Sequence, residues 1–142
     1  MNDSKALLTS VLNTTQMGQI GIRSALDCSM KHSLREALQS QLREYDTIET
    51  TAKSIAKRQG WKLKDVNPGV RAMANAMTRM RLSYGDVNSK LAAMMIQGNT
   101  RGMIIGLKDR RRTAPVGGPV GELSQKLLDC EEQNIRQMRG FV

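Results

Sequence analysis

Aromatic side chains and histidine are scarce in this chain of 142 residues. Phe, Trp and Tyr together make up 3% of the sequence, and His32 is the one histidine. There are also only three prolines and few runs of β-branched residues to oppose helices, whereas ten methionines can fill irregular gaps between helices. This composition predicts an all-α protein with a core of Leu, Ile, Ala and Met. The scarcity of aromatic rings also removes the usual stacking platform for nucleic-acid bases.

Catalytic motifs are absent too. The sequence holds no GxSxG elbow, no P-loop and no glycine-rich turn after a strand, and a single histidine offers no nucleophile–base pair. The two cysteines, Cys28 and Cys130, lie far apart without a CxxC spacing, a pattern typical of buried free thiols. We therefore predict that the protein is not an enzyme and binds no cofactor.

Long hydrophobic runs are also missing from the sequence. No stretch approaches the ~20 consecutive apolar residues that cross a bilayer, so we expect no transmembrane segment. The opening residues, MNDSKALLTS, lack the basic-then-apolar order of a secretory signal. Together these absences predict a cytoplasmic protein.

Negative charge is in short supply, and the formal net charge is +9. Such a balance suits an acidic partner, which can be a nucleic acid, an anionic surface or another protein. However, the 22 basic residues are spread along the chain, and the one dense run is Arg110-Arg111-Arg112. Basic residues in the last turn of a helix also compensate its dipole. The pattern therefore argues against nucleic acid, although a basic nucleic-acid-associated protein using these three arginines stays an alternative.

Helical periodicity and turn signals define a first hairpin over residues 4–60. Residues of the types favoured at a helix N-cap stand at the start of this hairpin, so we predict that its first helix begins there. We predict that this helix ends near Ser29. The second helix should start at Ser33, where Glu36 completes a capping box, and stop at Gly60.

A crossover and a second hairpin follow. We predict a crossover helix over 69–84 and a hairpin over 86–140, with helices Val87–Arg112 and Glu122–Gly140 on either side of a Gly/Pro-rich loop. One long bent helix over 69–112 is the alternative. Because the connections within each hairpin are short and the connection between them is long, residues 1–142 should form a single four-helix bundle with a long crossover.

The two predicted hairpins resemble each other in sequence, which suggests an internal repeat. Two spaced motifs recur in equivalent helices: Gln16-x4-Gly21-x4-Leu26 with Gln97-x4-Gly102-x4-Leu107, and Glu44-x-x-Thr47-Ile48 with Glu131-x-x-Asn134-Ile135. If Cys130 and Met138 face inward, a helical period of about 100° per residue turns Glu131 and Asn134 inward as well.

The two-hairpin pattern resembles the ferritin-like superfamily. Di-iron members of that superfamily use one Glu from each of the first and third helices and Glu-x-x-His from each of the second and fourth. More narrowly, three motifs within residues 15–67 resemble the spore coat F family of spore-forming bacteria: Leu26-Asp27-Cys28-Ser29 with Leu34-Arg35, Leu42-x-Glu44 with Ile48, and Arg58-Gln59-Gly60-Trp61. The resemblance implies a ferritin-like four-helix bundle and an association with the spore coat.

The chain departs from the di-iron pattern at the ligand positions. Thr47 and Asn134 stand where the histidines would be. Glutamine or threonine takes the other two glutamate positions: Gln16 or Gln19 in the first helix, and Gln97 or Thr100 in the third. A di-iron site needs about four carboxylates to balance its charge. The corresponding positions of this sequence lack two of those carboxylates and both histidines.

We therefore predict that Glu131 and Asn134 are core polar residues, satisfied by Gln16, Gln97 or water. Glu44, at the edge of its apolar stripe, should be half-exposed. The alternative is a divergent metal-binding protein that holds a lone divalent ion with Glu44, Glu131, Gln16 and Gln97.

Two surfaces are candidates for contact with a partner. Met73, Met77 and Met80 lie on one face of the predicted crossover helix, which can cover the bundle, lie on a membrane surface or bind a partner. The run Gly98-x3-Gly102-x3-Gly106 leaves a bare helix face, which should pack closely on the first helix or allow self-association, for example as a homodimer. We accordingly predict a non-catalytic structural or interaction protein that binds a protein partner or itself.

Overall fold

The computed structural model describes residues 3–66, 85–113 and 115–142. Within these ranges the chain forms four α-helices and no strand: α1 (Asp3–Leu26), α2 (His32–Gln59), α3 (Val87–Arg112) and α4 (Gly118–Arg139). The prediction of an all-α helix bundle is confirmed for this part of the chain. The predicted crossover helix over 69–84, with Met73, Met77 and Met80, lies outside the described residues.

Two predicted helix boundaries agree with the structure. α2 stops at Gly60, whose φ of 70° lies in the left-handed region that glycine adopts without strain, and whose N–H bonds to the Lys57 carbonyl oxygen at 3.2 Å. α3 starts after Asp86, whose carboxylate accepts a hydrogen bond from the Asn88 N–H at 3.0 Å. Local cap chemistry was sufficient to place both boundaries.

The start of α2 differs from the prediction. This helix begins at His32 after Lys31, without a side-chain cap, so the capping box of Ser33 and Glu36 was wrong. Instead, the Lys31 N–H donates to the side-chain oxygen of Asn88 at 2.7 Å, and Glu36 pairs with His32 at 2.9 Å. A contact from α3 therefore replaces the local cap.

Two further helix boundaries fall earlier than predicted. α1 ends at Leu26, and the Arg35 guanidinium donates to the carbonyl oxygens of Leu26 and Cys28 at 3.0 and 2.9 Å. α4 already begins at Gly118, because Pro119 lies in its first turn, where the missing N–H of proline costs no hydrogen bond. The Gly/Pro-rich loop is correspondingly shorter than expected.

Two hydrogen bonds show how α1 and α3 are oriented relative to each other. The Ser10 hydroxyl, near the start of α1, donates to Asp109, near the end of α3. Lys31, just beyond the end of α1, donates to Asn88, near the start of α3. These two contacts lie at opposite ends of the bundle, so α3 runs antiparallel to α1.

The pairing of α2 with α4 completes the arrangement. Gln41 donates to Gln137 at 2.8 Å, and Tyr45 contacts Glu131 at 2.9 Å, so these helices are also antiparallel. Each helix packs against two neighbours in the order α1, α2, α4, α3, and α1 also touches α4 across one diagonal. Therefore α1 and α4 run in one direction, and α2 and α3 run in the other.

Aliphatic side chains from all four helices form one core. The largest apolar side chains that are less than 2% exposed are Leu8, Leu12, Ile22, Leu34, Leu38, Ile48, Leu91 and Met138. Burying a side chain of this size stabilises the fold by roughly 1.5–3 kcal/mol. None of the helices among the described residues is long and apolar enough to cross a membrane.

Candidate functional site

Four polar side chains from three helices meet inside this core; we call them the central polar cluster. They are Tyr45 of α2, Asn99 of α3, and Glu131 and Asn134 of α4, and each is at most 6% exposed. The Tyr45 hydroxyl lies 3.0 Å from Asn99 Oδ1 and 2.9 Å from Glu131 Oε1, and it accepts a hydrogen bond from Asn134 Nδ2 at 3.4 Å. Tyr45 thus joins three helices at one point.

The cluster continues through Cys130 to the surface. Asn134 Nδ2 also lies 3.7 Å from Cys130 Sγ, and the Cys130 thiol donates to the exposed Glu44 carboxylate at 3.2 Å. Burial raises the pKa of Cys130 far above its usual value, and the Glu44 hydrogen bond and charge add to that shift. Cys130 is therefore a neutral structural thiol rather than a nucleophile. Both cysteines are free and buried, as the sequence predicted.

Glu131 is buried without a basic partner in the described part of the chain, where the ion pairs all involve other residues. Burial raises the pKa of Glu131 to about 8, and the Tyr45 hydrogen bond offsets this only in part. Burial and the Glu131 charge likewise hold the pKa of Tyr45 well above its usual value. At neutral pH Glu131 is mainly protonated and Tyr45 is neutral.

The number of protons in the cluster supports the same conclusion. A tyrosine hydroxyl has one proton to donate, yet Tyr45 lies within 3.0 Å of two oxygens, Asn99 Oδ1 and Glu131 Oε1. With Asn99 Oδ1 facing Tyr45, an ionised Glu131 would leave one of these oxygen–oxygen contacts without a proton. A protonated Glu131 donates to Tyr45, which then donates to Asn99, so that both contacts become hydrogen bonds.

Small residues of α1 and α3 leave a cavity of about 440 Å³ beside the cluster. The apolar walls of the cavity are formed by Met17, Ile22, Met94, Met95 and Ile105. Its floor is buried and polar and includes Gln41, Tyr45, Asn99 and Glu131. Three exposed residues lie at its outer edge: Gln97, Gly98 and Arg101. We call this space the α1–α3 cavity. It places an acid and an apolar surface within reach of one small molecule.

The bare glycine face of α3 packs less closely than predicted. A Cβ atom at Gly102 would lie 3.2 Å from both Thr14 Cγ2 and the Glu131 carboxyl carbon, so α3 approaches its neighbours there. A Cβ atom at Gly98 would meet nothing within 4 Å, because that glycine is exposed at the outer edge of the α1–α3 cavity. Close packing on the first helix was therefore right for Gly102 and wrong for Gly98, whereas Gly106 packs on α4 instead, its Cβ position lying 2.9 Å from Leu128 Cδ2.

The four candidate metal ligands do not converge. Gln16 Nε2 donates to Glu49 at 3.1 Å and to Asp65 at 2.8 Å, and its oxygen accepts from the Val66 N–H at 2.8 Å. This side chain thus points toward α2 and the segment after it, away from Glu131. Gln97 is exposed at the edge of the cavity. The expectation that these two glutamines satisfy Glu131 was therefore wrong, because Tyr45 does so.

Glu44 and Glu131 do not occupy equivalent positions. The buried residues of α2 match those of α4 when Tyr45, not Glu44, is aligned with Glu131 and Ile48 is aligned with Asn134. Glu44 therefore falls outside the inward stripe and is exposed, rather than half-exposed as predicted. Among the described residues, no group of three or more His, Cys, Asp or Glu side chains is arranged to hold a metal ion.

The three consecutive arginines end α3 and are exposed. Arg112 pairs with Asp109 at 2.8 Å, one turn earlier on the same helix, and Arg110 donates to Gln125 of α4. At the carboxyl end of a helix their charge also compensates the dipole. Two of these cations are thus already engaged on the surface of the bundle.

Asn99 is the site residue that the sequence analysis missed. It lies on the inward stripe of α3 with Leu91, Ala92 and Gly102, which are buried like Asn99 itself. The helical spacing of these buried residues was the signal that could have identified Asn99. The link between Tyr45 and Glu131 depends on the antiparallel pairing of α2 with α4.

No protein-family model matches this chain, and searches of curated proteins and of solved structures find no significant match. Function is therefore inferred from the cluster, the cavity and the arrangement of the helices.

Proposed function

We propose that this protein is a non-catalytic structural or interaction protein on a ferritin-like frame whose metal centre has been replaced by the central polar cluster. The directions of the helices support the frame. Because α2 and α3 run parallel, the end of α2 and the start of α3 lie at opposite ends of the bundle, as they do in ferritin-like folds, where a long crossover joins two hairpins.

The make-up of the cluster is the observation that carries the proposal. A di-iron centre needs several carboxylates to offset its charge. This cluster offers one carboxyl group, Glu131, together with a phenol and two amides. Even when ionised, that single carboxylate offsets only one of the four or more positive charges of a di-iron centre. The remaining polar groups are occupied by one another, which suits a fixed core better than a reaction centre.

The resemblance of residues 15–67 to the spore coat F family supports a structural role at the spore coat. Under this proposal the protein co-fractionates with spore-coat extracts. Its uniform presence in growing cells would count against that location.

Metal content tests the proposal directly. The protein should be purified without chelator and analysed for iron, manganese and zinc, beside the variants Glu131→Gln and Glu132→Gln. Glu132 is the matched control because it is exposed and pairs with Arg136 at 3.0 Å on the same helix. We expect substoichiometric metal in all three proteins and no oxygen consumption with Fe²⁺. Stoichiometric metal that is lost only in Glu131→Gln would overturn the proposal and establish a metal-binding protein.

A further inference from the structure

The α1–α3 cavity contains a buried acid, Glu131, that has no basic partner among the described residues. In the described part of the chain, the one hydrogen bond at the Glu131 carboxyl group joins Oε1 to Tyr45, and no basic side chain pairs with it. Yet Glu131 lines a cavity of about 440 Å³, within the range of small-molecule sites in proteins. Burial disfavours the ionised form of this acid, so a cationic ligand in the cavity is what would stabilise the carboxylate.

The cavity walls define the rest of such a ligand. Met17, Met94 and Met95 contribute flexible thioethers, and Ile22 and Ile105 contribute rigid aliphatic surface. Methionine side chains adapt to ligands of different shape. The walls thus suit an apolar body, whereas the floor adds the polar groups of Asn99 and Gln41 beside the acid.

We propose that the α1–α3 cavity binds a small organic cation, a protonated amine with an apolar body whose ammonium group pairs with the Glu131 carboxylate. Attraction between these charges is strong because the floor is removed from water. The competing ligand is an organic anion drawn by Arg101. Arg101 is exposed at the cavity edge, however, where water and salt screen its charge.

Binding of an ammonium ion releases a proton. The protonated Glu131 carboxyl group gives its proton to the buffer, and the resulting carboxylate pairs with the ligand. The groups facing Glu131 are Thr14 of α1, Tyr45 of α2, Asn99 of α3 and its helix neighbour Cys130, with Arg101 at the cavity edge and Glu44 beyond Cys130. Because burial raises the pKa of both Tyr45 and Cys130, Glu131 is the group in this set that exchanges a proton near neutral pH.

Three probes with the same apolar body distinguish a cationic, a neutral and an anionic ligand. They are octylamine, 1-octanol and octanoate, each used below its micelle-forming concentration. Calorimetric titrations at pH 6, 7 and 8, in two buffers of different ionisation enthalpy, give affinity and proton release. We expect octylamine to bind most tightly. Its affinity should rise about ten-fold from pH 6 to 7, level off above pH 8, and be accompanied by nearly one released proton at pH 7.

Variants assign the binding to this cavity. Glu131→Gln should weaken octylamine at least ten-fold and remove its pH dependence, leaving octanol unchanged, whereas Glu132→Gln should change neither. Gly98→Leu should weaken all three probes, because a side chain there enters open space in the cavity without a clash.

Three results would overturn the inference. The first is octylamine binding that is equal in the wild type and Glu131→Gln. The second is tighter binding of octanoate that is lost in Arg101→Gln, which would show an anion site. The third is no binding of any probe. None of these results depends on the metal analysis, so the proposed function and this inference can fail separately.

Discussion

Replacing Glu131 by glutamine isolates the effect of one buried proton on the stability of the bundle. The pKa of Glu131 is about 8 in the folded protein against an ordinary value of 4.5. Between these values the folded state holds a proton that the unfolded state has lost. Stability is therefore complete below about pH 4.5 and falls as the pH rises to about 8.

The size of the effect follows from the same two values. Each pH unit within this window costs about 1.4 kcal/mol, so at pH 7 the wild type has lost about 3 kcal/mol. Glutamine cannot ionise, and its amide can donate to Tyr45 as the protonated acid does. We expect Glu131→Gln to be more stable than the wild type by about 2–3 kcal/mol at pH 7 and nearly equal to it at pH 5.

Urea unfolding followed by circular dichroism at pH 5, 6, 7 and 8 measures this difference. Glu132→Gln is the control, because loss of its exposed pair with Arg136 should change stability by less than about 1 kcal/mol at every pH. Parallel stability profiles for the wild type and Glu131→Gln would refute the reasoning, since they would show that Glu131 is ionised in both states.

Three further substitutions test the packing around the cluster by the same urea assay. Gly98→Ala should stabilise the protein by about 1 kcal/mol, because its Cβ meets nothing within 4 Å and alanine favours a helix; a loss of stability would mean that the cavity is filled. Gly18→Ala should destabilise by about 1–3 kcal/mol, because its Cβ would lie 2.8 Å from the buried Tyr45 ring, and a neutral effect would show that the ring can move. Tyr45→Phe should cost about 2 kcal/mol by leaving Asn99 and Glu131 without their shared partner; an unchanged midpoint would mean that other groups satisfy them.

Features determined by nearby residues were predictable from the sequence. The end of α2 at Gly60 and the start of α3 at Val87 each depend on cap chemistry within one turn of helix, and both boundaries were predicted correctly. The start of α2 was predicted incorrectly, because the Lys31 N–H donates to the side-chain oxygen of Asn88, which belongs to a helix far along the chain. No local pattern contains that contact.

The candidate site was predicted in part for the same reason. Cys130 and Met138 were enough to turn Glu131 and Asn134 inward, and the structure places both at 2% exposure. Their partners, Tyr45 and Asn99, come from other helices, so only the packing of the bundle brings them together. The predicted repeat aligned Glu44 with Glu131, one residue away from the correct Tyr45. The alignment was made on identical residues and not on the spacing of the buried residues.

Inheritance and ligand binding predict the same change in stability for Glu131→Gln but a different change in binding. If the acid is only inherited from a metal-binding ancestor, Glu131→Gln gains stability at neutral pH and loses nothing. If the α1–α3 cavity binds an organic cation, the same gain in stability comes with the loss of binding, the usual exchange at a functional site. A buried acid that weakens the fold at neutral pH has a physical reason to persist only in the second case. Measuring stability and octylamine affinity on one preparation of Glu131→Gln therefore separates the two explanations.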